Sequence, residues 1–181
     1  FSRLLAQANG EPSQGGPLPR DAHSTVTNVI FAGMGEPLAN YDATMAAVRR
    51  LNDAGGFGLG ARHMIISTVG LVPGIRRLAR ENMQVNLAVS LHAPSDELRL
   101  RIMPINKRYP LGELLPACRA FVEATGRRIA FEYILIDGLN SLPTHARQLA
   151  ALVQGMTCMV NLIPMNAVDG SGFAAPRREA V

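Results

Sequence analysis

Apolar residues fall into short continuous runs that alternate with longer stretches of helical spacing. Val26-Thr27-Asn28-Val29-Ile30-Phe31-Ala32 is β-branched and aromatic, as a buried strand is, and it ends in Gly33-Met34-Gly35-Glu36-Pro37-Leu38. Met45, Val48 and Leu51 then predict a helix to about 54, capped by Asn40 or Asp42 and ended by Gly55-Gly56. His63-Met64-Ile65-Ile66 predicts a second strand running into Ser67-Thr68-Val69-Gly70, after which Pro73 opens a short helix that buries Ile75 and Leu78. A third strand, Val85 to Val89, ends at Ser90-Leu91-His92, and Ser95-Asp96-Glu97 starts another helix with a capping residue and two acids. The clearest helical stripe follows the loop Pro104 to Pro110: Leu111, Leu114, Leu115, Cys118, Phe121 and Val122, which places Cys118 in a core. The fourth strand, 129 to 136, ends at Asp137-Gly138-Leu139-Asn140, and Pro143 starts a helix expected to bury Ala146, Leu149 and Val153. The fifth, 158 to 163, ends at Pro164-Met165-Asn166.

Strands that alternate with helices, with no hairpin signal between them, are parallel and joined by crossovers, which leaves a βα barrel or a doubly wound sheet. The barrel is preferred because every strand leads to polar or glycine positions at its C-terminal end: Gly35 and Glu36, Ser67, Ser90 and His92, Asp137 and Asn140, Asn166. A barrel gathers such ends at one mouth, whereas an open sheet spreads them along an edge. The fold class expected is α/β, a partial (β/α) TIM-like barrel of five parallel strands. Residues 1–24 read as a helix end and a Pro/Gly-rich loop, 25–168 as the barrel unit and 169–181 as a loop tail; with no initial methionine, the chain reads as part of a longer protein.

Composition narrows the class. A hydrophobic content of 48% suits a packed globular domain and argues against disorder. No apolar run approaches the roughly 20 residues that cross a bilayer, so no membrane partner is expected. The net charge of +4 is compatible with an RNA or phosphate partner, and equally with an ordinary soluble domain. Cys118 and Cys158 form neither a Cys-x-x-Cys pair nor a disulfide framework, which fits a reducing cytoplasm.

The hexapeptide Gly33 to Leu38 carries the chemistry. Its glycines let backbone N–H groups approach a ligand, Pro37 stiffens the exit, and Glu36 is left with a charge to satisfy. Taken alone it is either a tight turn with a solvated Glu or a ligand seat. His92, between Leu91 and Ala93, reads as a buried structural group or as a ligand contact through its backbone. Lys107-Arg108-Tyr109 offers two cations and an aromatic, either a phosphate-and-stacking contact for RNA or a solvated loop. Arg127 and Arg128 precede the fourth strand, on the face opposite the mouth. His63 and His145 lack a partner at metal-ligand spacing.

In order along the chain, GMGEPL, STVG, SLHAP, PINKRYP, EYILIDGLN and NLIPMN resemble the RlmN/Cfr family of radical S-adenosylmethionine (SAM) RNA methyltransferases over roughly residues 25 to 168. The resemblance implies a partial (β/α) barrel, SAM and a [4Fe-4S] cluster as cofactors, and methylation of adenine carbon 2 in 23S rRNA and, in some members, tRNA. It also implies an electron donor such as flavodoxin or ferredoxin. Carried over residue by residue, Gly35 and Glu36 match the segment that holds the amino group of SAM. Ser67 matches a cofactor-contacting serine, Ser90, Leu91 and His92 the segment lining the cofactor, and Asn166 an asparagine of the last motif. Met165 stands where some members carry tryptophan. The family's CxxxCxxC cluster motif and its methyl-carrying cysteine have no counterpart here, and Cys118 and Cys158 match neither, so the chain reads as a central piece of the enzyme, inactive by itself. Two alternatives stay open, a Cfr-like enzyme acting at carbon 8 and a cluster-free βα barrel that binds RNA or phosphate.

Overall fold

A computed structural model describes residues 26–166, 170 and 172–176; the predicted helix end and loop over 1–24 lie outside the described residues, as does most of the 169–181 tail. Five parallel strands are present: β1 (Val29–Phe31), β2 (Met64–Thr68), β3 (Asn86–Ser90), β4 (Ile129–Leu135) and β5 (Cys158–Pro164). Between them run α1 (Tyr41–Asn52), α2 (Val72–Leu78), α3 (Asp96–Ile102), α4 (Leu111–Thr125) and α5 (Pro143–Val153), with short 3-10 turns at Ala61–His63 and Pro104–Lys107.

The strand order is β1-β2-β3-β4-β5, the order of the sequence. Each crossover therefore steps one strand in the same direction, and because such connections are right-handed, every helix lands on the same face. A doubly wound sheet needs a reversal of strand order, which is absent among the described residues. The sheet is a singly wound barrel wall.

Alternation along the strands shows which face is the core. Met64, Ile66 and Thr68 of β2 and Ile129, Phe131, Tyr133 and Leu135 of β4 are buried, while the residues between them are half-buried. The buried set meets the stripes of the helices, including Ile75 and Leu78 of α2 and Leu114, Cys118 and Phe121 of α4, all at most 1% exposed. Burial pushes the Cys118 thiol up to about 12, so it is a core group rather than a reactive one.

Three expectations need adjustment. β1 is only Val29–Phe31, because it pairs with β2 alone and has no neighbour on its other side among the described residues. In α5 the contacting stripe is Leu149, Leu152 and Val153, while Ala146, one turn earlier, is exposed, because the helix packs by its C-terminal half. Asn40 occupies the N-cap of α1 without a side-chain capping bond; Thr44 Oγ1 instead donates to Pro37 O at 2.9 Å, and Asp42 pairs with Arg77. Ser95 caps α3 as expected, accepting from Leu98 N at 3.4 Å.

Candidate functional site

Where β1, β2 and β3 end, Gly33, Gly35, Glu36, Ser67, Thr68 and Ser90 line one open cleft of about 270 Å³. That volume includes open solvent; the enclosed part, about 80 Å³, is far below the roughly 300–1,000 Å³ of sites that enclose a small ligand. The cleft is one wall of a site.

Glu36 is the hub. Its Oε1 accepts from Leu38 N at 3.0 Å and from Thr68 Oγ1 at 2.7 Å, and its Oε2 accepts from Val69 N at 2.8 Å. Three neutral donors anchor the carboxylate, and its charge is still left to satisfy. Of its about four acceptor positions, one on Oε2 remains for a ligand. No ion pair among the described residues includes Glu36, so none of them neutralises its charge.

Thr68 is a site residue that sequence reasoning missed in favour of its neighbour Ser67. Besides donating to Glu36, its hydroxyl accepts from Gly70 N at 3.1 Å and Leu71 N at 3.3 Å, closing the turn into α2. The signal was a hydroxyl just before a Gly-x-x-Pro helix start, where Ser and Thr satisfy free backbone N–H groups. Ser67 and Ser90, by contrast, are half-buried and their hydroxyls bond to nothing among the described residues. They face the cleft with hydrogen-bonding capacity to spare.

The other expected site residues divide. Leu91 is fully buried, its N–H donates to Glu132 O at 3.0 Å and its carbonyl accepts from Arg99 Nε at 3.1 Å, so it offers the cleft no free polar group. His92 has a φ of 59°, rare for a residue other than glycine. Its Nδ1 accepts from Ile134 N at 3.0 Å, its N–H donates to Glu132 O at 3.1 Å, and its carbonyl accepts from Asn140 Nδ2 at 2.8 Å. Burial first, and the Arg99 cation second, push its pKa down to about 4, so the ring is neutral and clips β3 to β4. Its Nδ1 is thereby engaged within the fold. Asn166 is exposed beyond β5 and is not among the cleft-lining residues. Asn140 is spent inside the fold: Oδ1 accepts from Ile136 N at 2.7 Å, and Nδ2 donates to Ile134 O at 2.6 Å as well as to His92 O.

One strand beyond Ser90, its register partner Glu132 accepts from Asn161 Nδ2 at 2.7 Å, which carries the polar surface across to β5. Behind the cleft lies Arg99, also unforeseen, with no exposed surface. Burial pushes its pKa down to about 10, against the pull of Asp96. Its guanidinium serves strand-end carbonyls of β2 and β3.

The loop Lys107-Arg108-Tyr109 requires a correction. Lys107 and Arg108 are exposed, but the Tyr109 ring is 9% exposed in the hydrophobic core with Arg108 5.3 Å from its centroid. A ring committed to the core cannot stack on a base.

Residues 20–143 match the model of the Radical SAM superfamily. The chain belongs to the radical SAM superfamily. Within it, the chain is 55% identical over 148 residues to a protein of Moorella thermoacetica and 53% identical over 167 residues to one of Roseiflexus castenholzii. Both are named as probable dual-specificity RNA methyltransferases RlmN; the matches cover 82% and 87% of this chain and 42% of each relative. The RlmN/Cfr resemblance is thereby confirmed. The chain spans under half the length of these curated relatives. A radical SAM methyltransferase from Sphaerobacter thermophilus superposes with a TM-score of 0.85 at 53% identity, covering 89% of this chain and 47% of that one. A domain of a pyruvate-formate lyase-activating enzyme from Bacteroides vulgatus, at TM-score 0.62 and 19% identity over 86% of this chain and 88% of that domain, shares the fold.

Radical SAM membership implies SAM and a [4Fe-4S] cluster. The cleft fits SAM: it offers partnerless hydroxyls, glycine backbone and an anchored carboxylate with one acceptor position left, against the hydroxyls and ammonium of that molecule. The cysteines do not fit the cluster. Cys118 is sealed in the helix layer, and Cys158 opens β5 at the end of the sheet opposite the cleft, its thiol raised by burial. No group of three His, Cys, Asp or Glu among the described residues could hold a metal.

Proposed function

We propose that this chain forms the SAM-binding wall of an RNA methyltransferase that modifies carbon 2 of an adenine in 23S rRNA and in tRNA. The observation that carries the reading is the gathering of Gly35, Glu36, Ser67 and Ser90 in one cleft of a radical SAM chain. The names of the relatives, at 55% and 53% identity, support the substrate. Radical SAM membership stands against the cluster-free binding module, and carbon 2 is consistent with the RlmN names.

In this reading the Gly35 backbone and the free Oε2 position of Glu36 receive the SAM ammonium, with the carboxylate held to shape by Thr68 and Val69 N. Ser67 and Ser90 bond the ribose and the carboxylate of the methionine part. Leu91 and His92 keep Ser90 in place through backbone bonds to β4, and Asn166 approaches the adenine end from β5. Small neutral groups suit the task, because they orient the cofactor without adding charge. Bound there, SAM supplies the methyl group and the radical chemistry that an unreactive aromatic carbon requires. Lys107 and Arg108 are left as exposed phosphate contacts for the RNA. No helix among the described residues is long and apolar enough to cross a membrane, and we place the enzyme in the cytoplasm with a flavodoxin or ferredoxin as reductant.

The test is anaerobic reaction of the full-length, iron- and sulfide-reconstituted protein with SAM and RNA, followed by nucleoside mass mapping. 2-Methyladenosine is expected; 8-methyladenosine, or no methylated adenosine, would overturn the proposal.

A further inference from the structure

Arg99 is a fully buried cation that makes no bond to a carboxylate among the described residues. Such a charge is retained only where its surroundings supply acceptors in number. Nη2 donates to Val69 O at 2.8 Å and Ser90 O at 3.1 Å, and Nε donates to Leu91 O at 3.1 Å. Nη1 donates to Asn106 Oδ1 at 2.9 Å and Tyr109 O at 3.4 Å. One rigid fork thus collects the carbonyls at the ends of β2 and β3, the adjacent strands that carry Ser67 and Ser90.

Val69 makes the connection to Glu36 direct. Its N–H donates to Glu36 Oε2 at 2.8 Å while its carbonyl accepts from Arg99 Nη2 at 2.8 Å. A single residue is held between the carboxylate in the cleft and the cation behind it. The surroundings leave room for this and little more: Gly70 has a φ of +103°, and a Cβ there would lie 3.2 Å from Arg99 Nη2. On the far side Asn106 is itself fixed, its Nδ2 donating to Asp96 Oδ1 at 3.0 Å, and Asp96 Oδ1 also accepts from Leu111 N at 2.7 Å. The Pro104–Lys107 turn, α3 and the N-terminus of α4 therefore brace the guanidinium.

We propose that Arg99 is the positioning residue of the SAM cleft, fixing the ends of β2 and β3 so that Glu36, Ser67 and Ser90 keep the spacing one cofactor molecule needs. The inference rests on the SAM-site reading above. It predicts a selective effect. Lysine keeps the charge but cannot serve both strand ends with the geometry of a planar fork, so the wall loosens while the core remains.

Full-length Arg99→Lys, with its fold verified by circular dichroism, should bind SAM at least tenfold more weakly by calorimetry, in cluster-free and cluster-loaded protein alike. Its affinity for RNA should be unchanged, and in the loaded enzyme KM for SAM should rise with kcat nearly constant. Wild-type affinity for SAM, or equal losses for SAM and RNA, would overturn the proposal. Should Arg99→Lys fail to fold, Asn106→Ala removes one acceptor and is expected to weaken SAM three- to fivefold with RNA binding intact; unchanged SAM affinity there overturns it. Glu36→Ala, run in parallel, separates the two claims. If Glu36→Ala leaves SAM binding untouched, the site reading fails; if only the Arg99 and Asn106 variants do, Arg99 alone is misassigned.

Discussion

Glu36 and Thr68 form the bond on which the cleft's shape turns, a 2.7 Å hydroxyl-to-carboxylate contact between the β1 loop and the end of β2. Thr68→Val keeps the side-chain shape and removes that donor, along with the acceptor for two backbone N–H groups. Loss of a hydrogen bond to a charged group costs about 2 kcal/mol, so the unfolding free energy of the full-length protein, read from urea denaturation, should fall by that amount, with SAM binding weakened as well. His92 has a different signature. Its folded pKa of about 4 lies below the unfolded value of 6.5, so its contribution is fully present above pH 6.5 and drains away as pH falls toward 4. Between pH 7.5 and pH 5 this removes about 2 kcal/mol of stability. His92→Asn, a residue that tolerates positive φ, should flatten that part of the urea-midpoint profile relative to wild type; parallel profiles would show that His92 does not carry it.

Among the elements, α2 and the loop after β1 are fitted to each other at Gly74. A Cβ at that position would meet Leu38 Cβ at 2.6 Å, a distance that forces one of them to move. Gly74→Ala gains roughly 1 kcal/mol of helix propensity and loses roughly 1–3 kcal/mol to overpacking, so a net loss of about 1 kcal/mol is expected. Because Leu38 N also holds Glu36 Oε1, SAM affinity should fall with it, and an unchanged melting temperature would contradict the packing argument. The elements themselves were legible where periodicity was strong: the α4 stripe from Leu111 to Phe121 is the buried face, and Ser95 is the cap of α3. The buried face of α3 was not legible. Leu100 is 48% exposed while Arg99 is 0%, an inversion that hydrophobicity cannot foretell because the demand for a donor comes from carbonyls on other strands. Tyr109 failed for a related reason, since a polar-looking loop does not reveal that its ring turns inward.

For the whole molecule, the alternation of strands and helices left barrel and doubly wound sheet both open, and the strand order decides between them. Polar residues at the strand ends pointed to the mouth, and four of them, Gly35, Glu36, Ser67 and Ser90, do line one cleft. Others at the same ends, His92 and Asn140, turned out to hold the strand ends together, a division that depends on side-chain direction and was invisible in residue type. The central claim is that this cleft seats SAM through Glu36. Calorimetric titration of SAM into full-length wild type and Glu36→Ala tests it most directly, with RNA affinity as the control for folding. The account predicts at least a tenfold weaker SAM dissociation constant with RNA binding retained, and equal SAM affinity in the two proteins would contradict it.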